Sequence, residues 1–254
     1  MGNPFSNPLS EKDLTLYRPF RVTSADTDMN SRLRLGSVVN LLVQSAISSA
    51  DSLGFGFGGL RQDKLFWVLS RLMVEIDRPF MWYQAGEVET WPKDVDKILY
   101  LRDFIVRNQE QQVFAKATSG WLAIDLETKR PKIFERIHNP LFNYLKDKHA
   151  LEISPEKLFP VKEGDVFEIQ TGFFDIDLNR HVTATRYIDW MMDTFSIEFH
   201  AKNYPTKVSV NYLKETMPGE TIQLVRKAND EKSFSFEGIN KTHKSIAFRG
   251  YIAF

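Results

Sequence analysis

The 254-residue chain has no cysteine. That absence removes thiol nucleophiles, cysteine-held zinc and disulfides together, and with them the usual staples of a small secreted fold. No charge of either sign is in excess, with 33 basic residues against 33 acidic ones. No global field therefore recruits nucleic acid or an anionic membrane. Long apolar runs are missing too. The most apolar helical candidate, Val38 to Ala50, contains Asn40 and Gln44 and is too short to span a bilayer. Met1 to Leu9 has no basic segment leading into an apolar stretch, so no signal peptide is read and a soluble, cytoplasmic chain is expected. A Gly-x-Ser-x-Gly elbow is absent, which leaves a serine-hydrolase mechanism without support. Gly54 to Gly59 lacks the Gly-Lys-Ser/Thr ending of a phosphate loop and reads as a flexible turn. His138, His149, His200 and His243 stand at no metal-ligating spacing, so neither a metal nor a cofactor is expected.

What the chain has in quantity is aromatic surface: 20 Phe, 8 Tyr and 5 Trp. Rings bury large areas, which suits a well-filled core or a pocket for apolar ligands. The rest of the composition, 43% hydrophobic and 26% charged, is that of a globular protein.

The sequence also repeats itself. Asp26-Thr-Asp28-Met-Asn30-Ser-Arg32-Leu33 and Asp175-Ile-Asp177-Leu-Asn179-Arg-His181-Val182 align with Asp, Asp and Asn in register. A helical face follows each: Val38, Leu41, Leu42, Ser45, Ala46 and Ser49 in the first, Tyr187, Trp190, Met191, Thr194 and Phe195 in the second. Strand-like runs come next, Phe66 to Ile76 and Lys207 to Leu213, then Gly86-Glu87-Val88 and Gly219-Glu220-Thr221 opening further strands. Ala117 to Ile124 parallels Ala247 to Phe254. The order of landmarks predicts a duplicated α+β unit, each copy a long helix wrapped by an antiparallel sheet: a tandem (double) hotdog. The modules are placed at 10–134 and 162–254, joined by a linker over 135–161 that carries Pro140, Pro155 and Pro160, with a short helix near Leu141 to Lys148.

Asp177, Asn179 and His181 gather a carboxylate, an amide and an imidazole just ahead of a helix, where free backbone N–H groups suit a developing oxyanion. The same residue types are also ordinary caps and turn formers. A calcium loop is disfavoured, because its glycine and glutamate positions hold Arg180 and Arg186 in the second copy and Ser31 and Ser37 in the first. The first copy has Arg32 where the second has His181. An imidazole can pass a proton near neutrality and a guanidinium cannot.

Asp177-x-Asn179-x-His181-Val182, with Tyr187 six residues past the histidine, resembles the signature of the acyl–acyl-carrier-protein thioesterases of bacteria and plant plastids. The resemblance runs from about Tyr17 to Phe254 and includes Leu53-Gly-Phe-Gly-Phe-Gly, Val68-Leu-Ser-Arg71 and Gly86-Glu-Val-Glu-Thr-Trp91. It implies a double-hotdog hydrolase that releases fatty acid from acyl carrier protein in fatty acid biosynthesis, as a monomer or homodimer. It assigns catalysis to Asp177, Asn179, His181 and Glu215, and it places the acyl tail in the first module, lined by Phe55, Phe57, Phe66 and Trp67. By itself Glu215 reads as a solvated carboxylate at a strand end. Two positions depart from the family pattern. Thr216 stands where a cysteine often follows the glutamate, and Thr183-Ala184 replaces Asn-Asn after the histidine and valine. Two other readings stay open: a hotdog thioesterase acting on acyl-coenzyme A, and a non-catalytic acyl-binding protein.

Overall fold

The computed structural model describes residues 10–133 and 142–254. The first module runs through a short helix α1 (Glu11–Leu14), β1 (Leu16–Arg21), a long helix α2 (Leu35–Ser52), a short α3 (Phe57–Gln62), and β2 (Leu65–Ile76), β3 (Ala85–Asp96), β4 (Leu99–Asn108) and β5 (Val113–Asp125). The second repeats the series as β6 (Asp165–Gln170), α4 (Ala184–Met192), α5 (Ile197–Lys202), β7 (Lys207–Tyr212), β8 (Thr221–Ala228), β9 (Ser233–Asn240) and β10 (Ser245–Ala253).

All ten strands join one antiparallel sheet in the order β1-β3-β4-β5-β2-β7-β10-β9-β8-β6. That order is the same from either end once the modules are exchanged. The duplication read from the sequence is therefore a pseudo-twofold whose seam is the β2–β7 pair, with Leu72 opposite Val210 and Val74 opposite Val208. Those four side chains are buried on the helix-bearing face, in one core shared by Val39 and Leu42 of α2 and Ile188 and Met191 of α4. The helices approach closely. A Cβ on Gly36 would collide with the Asp189 carboxylate of α4, so any larger residue there would have to displace that side chain.

α2 buries Val38, Val39, Leu42, Ser45, Ala46 and Ser49, the spacing of a single helical face. It stops at Gly54, whose φ of +79° is the left-handed conformation that glycine adopts without a Cβ penalty. The second copy's helix is shorter than its sequence face implies. Trp190 and Met191 are in α4, but Thr194 and Phe195 lie beyond it. The Thr194 hydroxyl donates to the Met191 carbonyl at 2.7 Å, and Ser196 caps a new helix by accepting from the Phe199 amide. Phe195 still packs inward, against Phe199, Phe234 and Phe254.

Alternation along the strands leaves the other face of the sheet to the linker. Its described part, 142–161, forms turns and extended chain; residues 142–148 form no α-helix, while Leu141, where one was expected to begin, lies outside the described residues, as does His138. This segment is a strap rather than a loose tether. Arg71 of β2 donates to the Pro155 carbonyl, Asn211 of β7 binds both Leu158 N–H and the Glu156 carbonyl, and Arg249 of β10 donates to the Leu158 carbonyl. Closer to the first module, a buried Lys93–Asp103 pair at 3.0 Å anchors it. Lys93 donates to the Leu151 carbonyl, and the Asp103 carboxylate accepts from the Ala150 amide and the Thr118 hydroxyl. Every charge in that pair is hydrogen-bonded, which offsets the cost of burying it.

Candidate active site

Ahead of α4 the chain makes a compact turn built on Asp177. Its carboxylate Oδ1 accepts the amides of Asn179 at 2.8 Å and His181 at 3.4 Å. Its own amide donates to the His181 carbonyl, and its carbonyl accepts from the Arg180 amide, both at 2.9 Å. Arg180 takes a φ of +68° to close the loop. Asp177 thus fixes backbone, and through backbone it sets where the Asn179 and His181 side chains project. The Val182 amide then donates to the Thr216 carbonyl at 2.9 Å, docking the turn on the segment after β7.

That main-chain bond brings the neighbouring carboxylate to the imidazole. Glu215 Oε2 lies 3.3 Å from His181 Nε2, with the two side chains 50% and 29% exposed, so a small reactant can reach both. The Asn179 side-chain amide is exposed and makes no hydrogen bond among the described residues. It is free to donate to a ligand. Thr183, the N-cap of α4, makes no side-chain capping bond, so the first-turn N–H groups carry no capping hydroxyl. The structure therefore brings Asp177, Asn179, His181 and Glu215 to one turn and its docking loop. Behind them Thr216 is fully buried, a packing position. Tyr187 is buried beside it, and burial pushes its hydroxyl up to about 12. Burial likewise pushes Tyr212 well up, and its hydroxyl donates to the Ala184 carbonyl at the helix start. Tyr212 was not singled out in the sequence; only its place at the end of β7, opposite the helix start, marks it.

The same turn exists in the first module. Asp28 Oδ1 accepts the amides of Asn30 and Arg32, Ser31 has a φ of +61°, and the Leu33 amide docks on the Phe80 carbonyl. Here, however, the turn is occupied by protein. Arg32 pairs with Asp28 at 2.9 Å and donates to the His200 and Asn203 carbonyls at 2.7 and 3.1 Å, closing the C-terminal end of α5. Asn30 also donates to the His200 carbonyl. The residue before the docking carbonyl is Pro79, where the second module has Glu215. A cleft of about 270 Å³ opens beside this first turn, its wall combining the Arg32–Asp28 and Arg186–Asp189 ion pairs with Met29, Leu35, Met192 and Ile197.

The four aromatic candidates separate. Phe55 and Trp67 meet at 6.3 Å in a cluster with Tyr100 and Phe142, and the Trp67 indole donates to the Phe55 carbonyl. Phe57 is exposed on α3 under the Arg61 guanidinium, and Phe66 lies under the Lys129 ammonium. Among the described residues no group of three His, Asp or Glu side chains could hold a metal ion.

Residues 13–140 match the acyl-ACP thioesterase N-terminal domain and residues 159–252 the acyl-ACP thioesterase C-terminal domain. The chain belongs to the acyl-ACP thioesterase family. Its double-hotdog architecture is that of an acyl-ACP thioesterase from Bacteroides thetaiotaomicron VPI-5482, with a TM-score of 0.89 and 26% identity, covering 96% of this chain and 99% of that one. Among curated relatives, the chloroplastic acyl-[acyl-carrier-protein] hydrolase FATB1 of Cuphea viscosissima is 26% identical over 77% of this chain and 50% of its own length. The chloroplastic oleoyl-acyl carrier protein thioesterase 1 of Arabidopsis thaliana is 23% identical over 88% and 66%. The chain thus spans about half to two thirds of the length of these curated relatives. A shared fold does not fix the chemistry, which lies in the side chains that the turn presents.

Proposed function

We propose that this chain hydrolyses fatty-acyl thioesters carried on acyl carrier protein, releasing the free acid in fatty acid biosynthesis, in the cytoplasm. The observation that carries the reading is the accessible His181–Glu215 pair at 3.3 Å, held beside an uncommitted Asn179 amide. Family membership supports it, as do the names of the curated relatives, which are acyl-[acyl-carrier-protein] hydrolases and thioesterases.

The thioester carbonyl sits beside Asn179, whose amide N–H and the uncapped N–H groups at the start of α4 stabilise the tetrahedral oxyanion. A water between the carbonyl carbon and Glu215 loses its proton to the Glu215–His181 pair as its oxygen bonds to carbon. The C–S bond then breaks. The sulfur leaves as a thiolate whose conjugate acid has a pKa of about 8.5, so it needs little acid assistance and finally takes up the proton held by the pair. Asp177 is a positioning residue here, because its carboxylate is engaged with the backbone of the turn. The acyl tail runs into the first module, toward the Phe55–Trp67 cluster.

The test is thiol release from acyl carrier protein bearing acyl groups of graded length, beside the same groups on coenzyme A. The reading predicts multiple turnovers, faster on the carrier. Saturable binding without thiol release means an acyl-binding protein, and a preference for coenzyme A overturns the carrier assignment. Single-turnover hydrolysis in oxygen-18 water should leave the label in the fatty acid and none in Glu215 or Asp177. Label in either carboxylate identifies a covalent acyl-enzyme instead.

A further inference from the structure

A second feature of the catalytic end has no use in the hydrolysis itself. Phe173 and Phe174 are 87% and 91% exposed, and Leu178, within the catalytic turn, is 85% exposed. Their rings form an edge-to-face pair at 5.5 Å that projects into solvent just before Asp175. Met217 and Leu213, also exposed, flank Glu215 on the docking loop. The Thr171 hydroxyl donates to the Met217 carbonyl at 3.0 Å, tying the two segments together at one end of the module.

Solvent-facing aromatics in such a cluster are costly to keep unless something covers them. The duplication supplies an internal control. At the corresponding 3-10 turn of the first module, Ser24 and Ala25 stand where the second has Phe173 and Phe174. The local backbone therefore does not need the rings. Charge points to the occupant. Among the neighbouring carboxylates, Asp175 is paired with Arg186, Glu220 with His243 and Glu168 with Lys241, while Asp177 is held by backbone amides and Glu215 faces His181. Arg180 and Lys214, both exposed and both beside the site, have no ion-pair partner among the described residues. The corresponding cation before Pro79, Arg78, is paired with Asp77 at 3.1 Å. The first module's end also exposes Met29, Met81, Trp82 and Tyr83, so what sets the catalytic copy apart here is the Phe173–Phe174 pair in place of Ser24 and Ala25.

We infer that Phe173, Phe174 and Leu178, rimmed by Arg180 and Lys214, form the docking surface for an acidic acyl carrier protein, seating it so that its thioester reaches Asn179. The inference rests on the hydrolase reading above and assigns the surface that reading leaves open. Rings supply buried area at the centre of the contact, and the two cations steer an anionic partner and make its affinity fall with salt.

The test gives Phe173 and Phe174 the first module's residues, in the double variant Phe173→Ser, Phe174→Ala. Two readouts are taken on the full chain: the Kd for holo acyl carrier protein by titration, and kinetics on acyl carrier protein beside a carrier-free acyl-N-acetylcysteamine thioester. The variant should raise the carrier Kd and the KM for the carrier substrate at least tenfold. Its kinetics on the small thioester should stay within twofold of wild type. Raising salt should weaken the wild-type carrier complex and leave the small substrate unaffected. Unchanged carrier binding in the variant overturns the assignment, as does equal loss on both substrates. Loss of a concentration-dependent dimer, or of binding to phosphatidylglycerol vesicles, with carrier affinity intact, assigns the patch elsewhere and also overturns it. Failure of the wild-type chain to cleave the small thioester strikes the hydrolase reading alone, since the carrier titration is read without turnover.

Discussion

At Asp28 and at Asp177 the chain makes one turn twice, with the same carboxylate-to-amide bonds, the same positive φ two residues before the docking amide, and the same docking bond. The side chains then diverge. In the first module Asn30 and Arg32 spend their donors on the carbonyls that end α5. In the second, Asn179 keeps its amide free and His181 faces Glu215. Pro79 at the first docking loop offers no group to hold or move a proton. The comparison teaches that the turn is scaffold and that catalysis depends on what is left unbonded on it. Duplication lets one copy satisfy its donors for stability while the other leaves them poised.

The largest effects should fall on the second turn. His181→Ala should lower kcat on acyl carrier protein by about 10²–10⁴, the range for removing a general base, with the melting temperature little changed. If activity survived, the asymmetry would collapse. Next comes the strap that holds the modules in register. Lys93→Met strands the buried Asp103 carboxylate and should cost about 3–5 kcal/mol in denaturant unfolding. Asn179→Ala removes an oxyanion donor and should raise the barrier by about 2.7–4 kcal/mol, read as kcat, whereas Asn30→Ala should leave kcat alone. Arg32→Ala should do the reverse of His181→Ala: kcat unchanged, and stability lowered by about 1.5–3 kcal/mol as the carbonyls ending α5 lose a charged donor.

The smallest effect is on acid stability. Burial pushes the Glu89 carboxyl up, but hydrogen bonds from Lys148 of the strap and from Arg107 outweigh it and hold it below the ordinary range. The folded state therefore binds this proton less readily than the unfolded chain does. The contribution is present above the unfolded value and is lost as pH falls through the folded one, a loss beginning below about pH 5. Glu89→Gln should flatten that limb in unfolding curves taken from pH 7 to pH 3.

Much of this was legible in the sequence because a duplicated chain checks itself. The Asp-x-Asp-x-Asn repeats, the helical faces after them and the closing Gly120 and Gly250 strands all matched elements of the structure. The edge strands β1 and β6 carried no such signal; only one face of each is partly buried, and Pro19 sits in β1. The end of α4 was misjudged because Thr194 and Phe195 keep helical spacing while lying outside the helix. Within the site, His181 and Glu215 are joined by a backbone bond from Val182 to Thr216, and such a bond leaves no mark in residue types. The role of Arg32 was hidden for the same reason, since its partners are carbonyls. The prolines of the linker suggested a spacer, yet the buried Leu145, Ala150 and Leu151 mark a strap that packs.

The central claim is that His181 and Glu215 act as one proton-accepting unit on a turn whose twin is silent. A double-mutant cycle measures it most directly, with kcat on acyl carrier protein for His181→Ala, Glu215→Gln and the pair together. A single unit predicts that the double variant is no slower than the slower single one. Fully additive losses would contradict it.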